Sequence, residues 1–201
     1  MSGQLEGKKI AIMATDGVEE VELTKPMQAL KEAGAQVEVV SPKDGEIQGF
    51  NHLTPGDKIK VDRMLNEVEA ADYDALVLPG GVANPDQLRV NDAALDFVRS
   101  FAEAGKPMGV ICHAPWILIN AGLAEGRTLT GWETIRQDLT NAGAIVVDQE
   151  VVVDNGLVTS RGPKDLPAFC SKIIEEFREG LHEGQRRAAL DDDGAGIRAE
   201  A

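Results

Sequence analysis

A cysteine followed directly by a histidine, Cys112-His113, stands where a short apolar run meets a helical pattern within residues 107–121. Met108, Val110 and Ile111 suit a strand covered on both faces, while Trp116, Ile117, Leu118 and Ala121 recur at helical spacing. Pro115 fits the first turn of that helix, where its missing N–H costs nothing. A thiol on so sharp a strand-to-helix turn is lifted out of the sheet and faces the free N–H groups of the helix, whose partial positive charge favours thiolate over thiol. Cys112 is therefore the candidate nucleophile, and Ala114 keeps the turn small. The plainer reading of a lone cysteine is a small buried apolar residue. An unperturbed thiol titrates near ~8.5, so a basic or hydrogen-bonding partner must help the helix. His113 is the nearest base, although neighbouring side chains at a tight turn tend to point apart.

Such a site needs a scaffold, and the rest of the chain supplies one. Apolar runs at 9–14, 75–78 and 108–111 read as buried strands, and 36–40 alternates like a strand near a sheet edge. Between them fall helical patterns at 20–33, stopped by Gly34, at 84–90 and at 93–104. The segment 15–18 reads as a loop, 46–61 as a small hairpin, 64–68 as a short helix, 134–142 as a helix and 163–179 as the closing helix. Strands are also expected at 145–147, 151–153 and 157–159, the last two joined by Asp154-Asn-Gly156, a strong hairpin signal. Strands separated by helices predict an α/β fold, a doubly wound, mostly parallel sheet with helices on both faces. In such a sheet ligands bind beyond the carboxyl ends of the strands. Residues 15–22, Pro79 to Gly81 and Cys112 all follow strands, so all three are expected on one rim.

Composition narrows the partners. With 201 residues the chain suits one domain, expected at 8–179, followed by a Gly-, Ala-, Arg- and Asp-rich tail at 180–201 that is expected to be disordered. A formal net charge of −14 argues against nucleic acid and anionic membranes, which would repel it. Two cysteines are too few for a disulfide framework, and Cys170 falls on the apolar stripe of the last helix, so it reads as core packing. No signal-peptide pattern or membrane-length apolar run is present, so a cytoplasmic location is expected. Asp191-Asp-Asp193 reads as a solvated acidic run rather than a metal site. His52, in a turn-rich region, and His182, in the expected tail, are given no site role. Cys-His adjacency offers too few ligands for zinc, and neither a cofactor nor a metal is implied.

Four segments in order carry a resemblance to the ThiJ/PfpI superfamily: Asp16-Gly-Val-Glu-Glu-Val-Glu-Leu23, Leu78-Pro-Gly-Gly81, Val110-Ile-Cys-His-Ala-Pro115 and 151–163. The likeness runs from about Lys9 to Phe177 and implies a flavodoxin-like fold related to class I glutamine amidotransferases. It also implies a carboxyl, matched here by Glu22, held against the cysteine sulfur. Two like charges there would repel, so one group should keep a proton, and a protonated Glu22 would stabilise the thiolate by donating to it. From spacing alone Glu22 reads first as an exposed acid at a helix start, and it is the resemblance that reverses this. Glu19 and Glu20 read as acids of the loop-to-helix passage, though Glu19 also resembles a recurrent family position. The N–H groups of Gly81 and His113 are candidates for an oxyanion hole, with glycine at 81 allowing close approach. Asp86 matches, with one extra loop residue, a position from which the peptidase-like branch orients the histidine of a neighbouring subunit. Aspartate replaces the usual glutamate, and a helix-capping role is as plausible. Ala114 and Trp116 depart from the commoner glycine and smaller or polar residues.

The resemblance implies a stress-protective cysteine hydrolase and self-association into a homo-oligomer, a dimer or larger. It allows two substrates, a peptide or a small carbonyl compound such as methylglyoxal and its adducts. An exposed Cys-His pair with an orienting acid favours amide hydrolysis, which needs a general acid for the amine. A small recessed site with Glu22 moving protons favours an aldehyde. The competing non-enzymatic reading is a redox sensor or holdase acting through oxidation of Cys112. A glutamine amidotransferase is disfavoured, because no histidine lies near 157–163 to serve the cysteine.

Overall fold

The protein is described by a computed structural model covering residues 3–185. The first apolar run forms β1 (Lys9–Met13), buried after Lys9. The expected loop behind it pairs briefly as β2 (Val18–Glu19) before α1 (Glu20–Glu32). β3 (Gln36–Ser41) returns beside β1, and the chain leaves the layer as the expected hairpin, β4 (Glu46–Asn51) and β5 (Thr54–Lys60), which β2 extends to three strands. β6 (Arg63–Met64) follows; the short helix expected at 64–68 is a single 3-10 turn at Leu65–Glu67, because Met64 is taken up pairing with Ser41. Next come β7 (Ala75–Leu78), α2 (Ala83–Leu88), α3 (Asp92–Glu103), β8 (Met108–Ile111) and α4 (Pro115–Ala121). β9 (Thr128–Leu129), α5 (Arg136–Asn141) and β10 (Ile145–Val146) precede the hairpin of β11 (Val151–Asp154) and β12 (Leu157–Ser160), and α6 (Leu166–Glu179) closes the layer. The helix expected from Thr134 begins instead as a 3-10 turn at Glu133–Ile135.

The main sheet has the order β11-β12-β8-β7-β1-β3-β6, with every pair parallel except β11 with β12. From β1 the winding goes first to β3 and then back across to β7, so the switch point lies between β1 and β7. β9 and β10 pair in parallel with each other, outside this sheet. Alternation along the strands divides the core. Ile10, Ile12, Val77, Ile111 and Val158 pack with Leu23 and Leu30 of α1 and Phe169, Ile173 and Phe177 of α6. Met13, Leu76, Leu78, Met108 and Val110 pack with Phe97 and Phe101 of α3 and Ile117 and Leu118 of α4.

Arg127, only 4% exposed, anchors the closing hairpin from outside the sheet. Its Nε lies 3.3 Å from Asp154 Oδ2, the oxygen that also accepts the Thr128 N–H at 2.7 Å. Removing one partner leaves the other buried charge uncompensated, so Arg127→Ala is expected to cost about 3 kcal/mol in urea unfolding.

The ordered chain extends past the expected end of the domain. Residues 180–185 fold back onto the body: the His182 N–H donates to the Gly105 carbonyl at 2.7 Å, and the fully buried Gln185 donates its side-chain amide to the Lys106 carbonyl. The remainder of the expected tail, 186–201, lies outside the described residues. Among the described residues no helix is long and apolar enough to cross a membrane.

Candidate active site

Three rim segments meet at the Cys112 sulfur. β8 ends at Ile111, and Cys112 itself adopts φ +65°, the left-handed region that non-glycine residues enter at a cost. Two backbone bonds hold it there: its N–H donates to the Ser160 carbonyl at the end of β12 (3.0 Å), and its carbonyl accepts the Trp132 N–H (2.8 Å). The residue is 5% exposed, so the sulfur is recessed rather than presented on the surface.

Glu22, in the first turn of α1, is completely buried and its carboxyl faces this sulfur. The exposed helix-start alternative is thereby excluded. The loop after β7 explains how a carboxyl is accommodated here. Gly80 donates its N–H to Glu22 Oε2 at 2.9 Å, while Oε1 is buried without a hydrogen-bonded partner. Burial, opposed by the bonds from the thiol and from Gly80, pushes the Glu22 pKa up to about 8, with the nearby Glu19 charge adding to the rise. Glu22 therefore keeps its proton at neutral pH.

The helix N-terminus is not the largest influence on the Cys112 thiol. Burial first, and the Glu22 carboxyl second, push the Cys112 thiol up; the backbone N–H groups of Gly81 and His113 offset this in part. α4 has only seven residues and is too weak a dipole to outweigh desolvation. While Glu22 holds its proton its repulsion of the sulfur is absent, so ionisation of Cys112 depends on the protonation of Glu22.

Gly80, not Gly81, makes the close approach. A Cβ at Gly80 would lie 2.6 Å from both Cys112 Cβ and Glu22 Oε2, whereas Gly81 (φ +80°) packs on Gly17 and Glu19 of the first rim loop. Gly80→Ala must part the sulfur from the carboxyl. Displacing reacting groups by about 1 Å costs on the order of 100-fold in rate, and that loss in kcat is the expected result with the fold intact by circular dichroism.

His113 does reach the sulfur, with Nδ1 3.2 Å from Sγ. Its ring packs between Trp116 and Trp132, stacked on the latter at 5.8 Å, and burial lowers its pKa, so the imidazole is neutral at pH 7. Asp86 is exposed on α2, and among the described residues no hydrogen bond or ion pair joins it to His113. An orienting role for Asp86 would require a second copy. Glu19 is buried and accepts the His52 N–H at the tip of the β4–β5 hairpin (3.0 Å), which makes it a loop anchor. Cys170 is half-buried on α6, apart from the site, and burial raises its pKa to about 11.

Three contributors escaped the sequence reading. Asn84, fully buried, accepts the Thr15 N–H (2.8 Å) and donates to the Pro79 and Gly80 carbonyls (2.8 and 3.1 Å), tying two rim loops together. Trp132 walls His113, and a Cβ on Gly162 would collide with its ring at 2.9 Å. Beyond Trp132 and Gly162 opens a cleft of about 470 Å3 that also takes in His52, Arg136, Arg161 and Lys164. Nothing in the spacing of these residues marks them, since each comes from a different turn; only the Asn84 position, five residues after Pro79 at the rim, was in reach of the sequence.

Known proteins share this arrangement of elements. The model of the DJ-1/PfpI family matches residues 8–176. General stress protein 18 of Bacillus subtilis is 45% identical over 164 residues, spanning 81% of this chain and 94% of that protein. A deglycase of Thermococcus kodakarensis is 43% identical over 170 residues, 85% of this chain and 99% of its own. The crystal structure of Drosophila melanogaster DJ-1beta superposes with a TM-score of 0.78 at 28% identity, covering 96% of this chain and 99% of that one.

Proposed function

Because this chain belongs to the DJ-1/PfpI family, we propose that it is a Cys112-dependent enzyme of the glyoxalase and deglycase kind. Its substrates in this reading are small 2-oxoaldehydes such as methylglyoxal and their adducts, and its role is protection under stress. The observation that carries the reading is the recessed sulfur facing a buried carboxyl that holds a proton. Amide hydrolysis calls for an oriented histidine to protonate a departing amine, and among the described residues His113 has aromatic neighbours but no acid paired with it. A relative named a deglycase and another named a general stress protein, each above 40% identical, point the same way.

In this mechanism Sγ, its proton released to solvent, adds to the aldehyde carbon while Glu22 gives its own proton to the carbonyl oxygen, leaving a hemithioacetal and an ionised Glu22 that solvent reprotonates when the cycle closes. Glu22, now ionised, removes the C–H proton from that carbon and returns it to the neighbouring carbon. The resulting thioester is hydrolysed by water, which frees the thiol and a 2-hydroxy acid; overall one water is added and no external oxidant is used. The Gly81 and His113 N–H groups favour the anionic sulfur that makes the attack. Reversible oxidation as the main role calls for an accessible thiolate, and a 5% exposed thiol with a raised pKa speaks against it.

The test compares wild type and Cys112→Ser on methylglyoxal and on a fluorogenic peptide. Conversion of methylglyoxal to lactate by wild type alone is expected. Cys112-dependent cleavage of the peptide without aldehyde turnover would overturn the substrate assignment, and no Cys112-dependent turnover of either would end the enzyme reading.

A further inference from the structure

The opposite rim of the sheet carries a second cluster. Glu176 and Glu179 stand three residues apart on one face of α6. The helix ends at Gly180, whose backbone (φ +88°, ψ −128°) is open to glycine alone, and the chain turns back. That turn carries His182 towards Gly105 and Gly156, at the amino ends of β8 and β12. The His182 N–H is bound by the Gly105 carbonyl, and its ring lies so close to Gly156 that a Cβ there would be 2.6 Å away. The imidazole is therefore held by main chain on two sides. Its Nε2 is buried without a hydrogen-bonded partner and points at Glu176.

Glu176 has a side chain only 9% exposed, and among the described residues its carboxylate is faced by His182 with no hydrogen bond to it. The Nε2 to Oε2 separation is 3.5 Å. This is long for an N–H···O bond. It matches the edge of a tetrahedron: ligand atoms bound at about 2.0–2.2 Å to one zinc ion lie about 3.4 Å apart. One ligand atom from each of Glu176, Glu179 and His182 lies within 4.8 Å of the others. The third ligand, Glu179, is exposed, so it can close on an ion and leaves a path for entry.

We infer that Glu176, Glu179 and His182 form a site for one divalent transition-metal cation of the zinc class, which clips 180–185 to the end of α6. Two carboxylates and one imidazole leave a fourth position for water, and the borderline softness of this donor set suits zinc better than calcium or magnesium. The site lies across the sheet from Cys112 and is independent of the chemistry proposed there.

The test uses the tag-free chain carrying Cys112→Ser, so that the sulfur and His113 do not compete for metal. Zinc chloride titrated calorimetrically should bind with one-to-one stoichiometry, and excess zinc should raise Tm by mass action. Glu179→Gln and His182→Gln should each weaken binding by at least about 10-fold, the loss that removing even an outer-shell partner brings. Because Glu179 is exposed, Glu179→Gln reports on the site even if His182→Gln loosens the packed segment. Absence of saturable binding, or binding to Glu179→Gln as tight as to its parent, would overturn the assignment.

Discussion

Cys112→Ser is expected to lower kcat/KM for methylglyoxal by ~10^4-fold or more, the size of effect seen when a covalent nucleophile is removed. The replacement is nearly isosteric, and serine makes no greater demand on the left-handed backbone at this position than cysteine does. The hydroxyl in its place is a far poorer nucleophile, and the His113 beside it is a neutral imidazole. Fold and unfolding midpoint should be almost unchanged, because the N–H of residue 112 still reaches Ser160 and its carbonyl still accepts from Trp132. A variant that kept a tenth of the activity would show that turnover does not pass through the sulfur.

Glu22→Gln should separate two roles that one carboxyl plays. Glutamine can still accept the Gly80 N–H through its carbonyl oxygen and still present a donor to the sulfur through its amide. Alkylation of Cys112 by iodoacetamide at pH 7 is therefore expected to stay within about 3-fold of wild type, since the hydrogen bond survives at a net value of only about 1 kcal/mol. Turnover requires the proton to leave and return, which an amide cannot do, so kcat should fall by about 10^2 to 10^4. Equal loss of alkylation and turnover would reduce Glu22 to a purely structural group.

The same variant has a stability signature. The folded pKa of Glu22, about 8, lies above its ordinary value of 4.5, so the native state binds the extra proton between those limits. The stability that Glu22 contributes is complete below pH 4.5 and is lost as pH rises through about 8. Glu22→Gln should flatten that decline and be more stable than wild type at pH 9, read as the urea midpoint against pH. A midpoint that declines as steeply in the variant would mean that Glu22 is already ionised when folded.

The order of strands and helices was legible because each buried strand here is a short unbroken apolar run and each helix shows its own stripe, as at Leu95, Val98, Phe101 and Ala102 of α3. The β11–β12 turn was equally plain from Asp154-Asn-Gly156. Misreadings fell where an element is two or three residues long. β2, β6 and the 3-10 turn at Leu65–Glu67 owe their form to a neighbouring strand rather than to any local pattern. The start of the supposed tail was misread for a similar reason. Residues 180–185 lack apolar period and are held through main-chain bonds to Gly105 and Lys106, which composition does not reveal.

By itself the sequence determined which atoms are available for chemistry: a cysteine at a strand end, a histidine beside it, acids after the first strand and a double glycine after another. It also determined that all of them open on one rim, since parallel strands carry their following loops to the same side. Only the tertiary structure decided the state of those atoms. Whether Glu22 is charged, and whether Cys112 is thiol or thiolate, depends on how completely water is excluded and on which N–H groups converge from Gly80, Gly81 and His113. Desolvation and convergence are properties of segments brought together from distant parts of the chain, and no spacing along it encodes their balance.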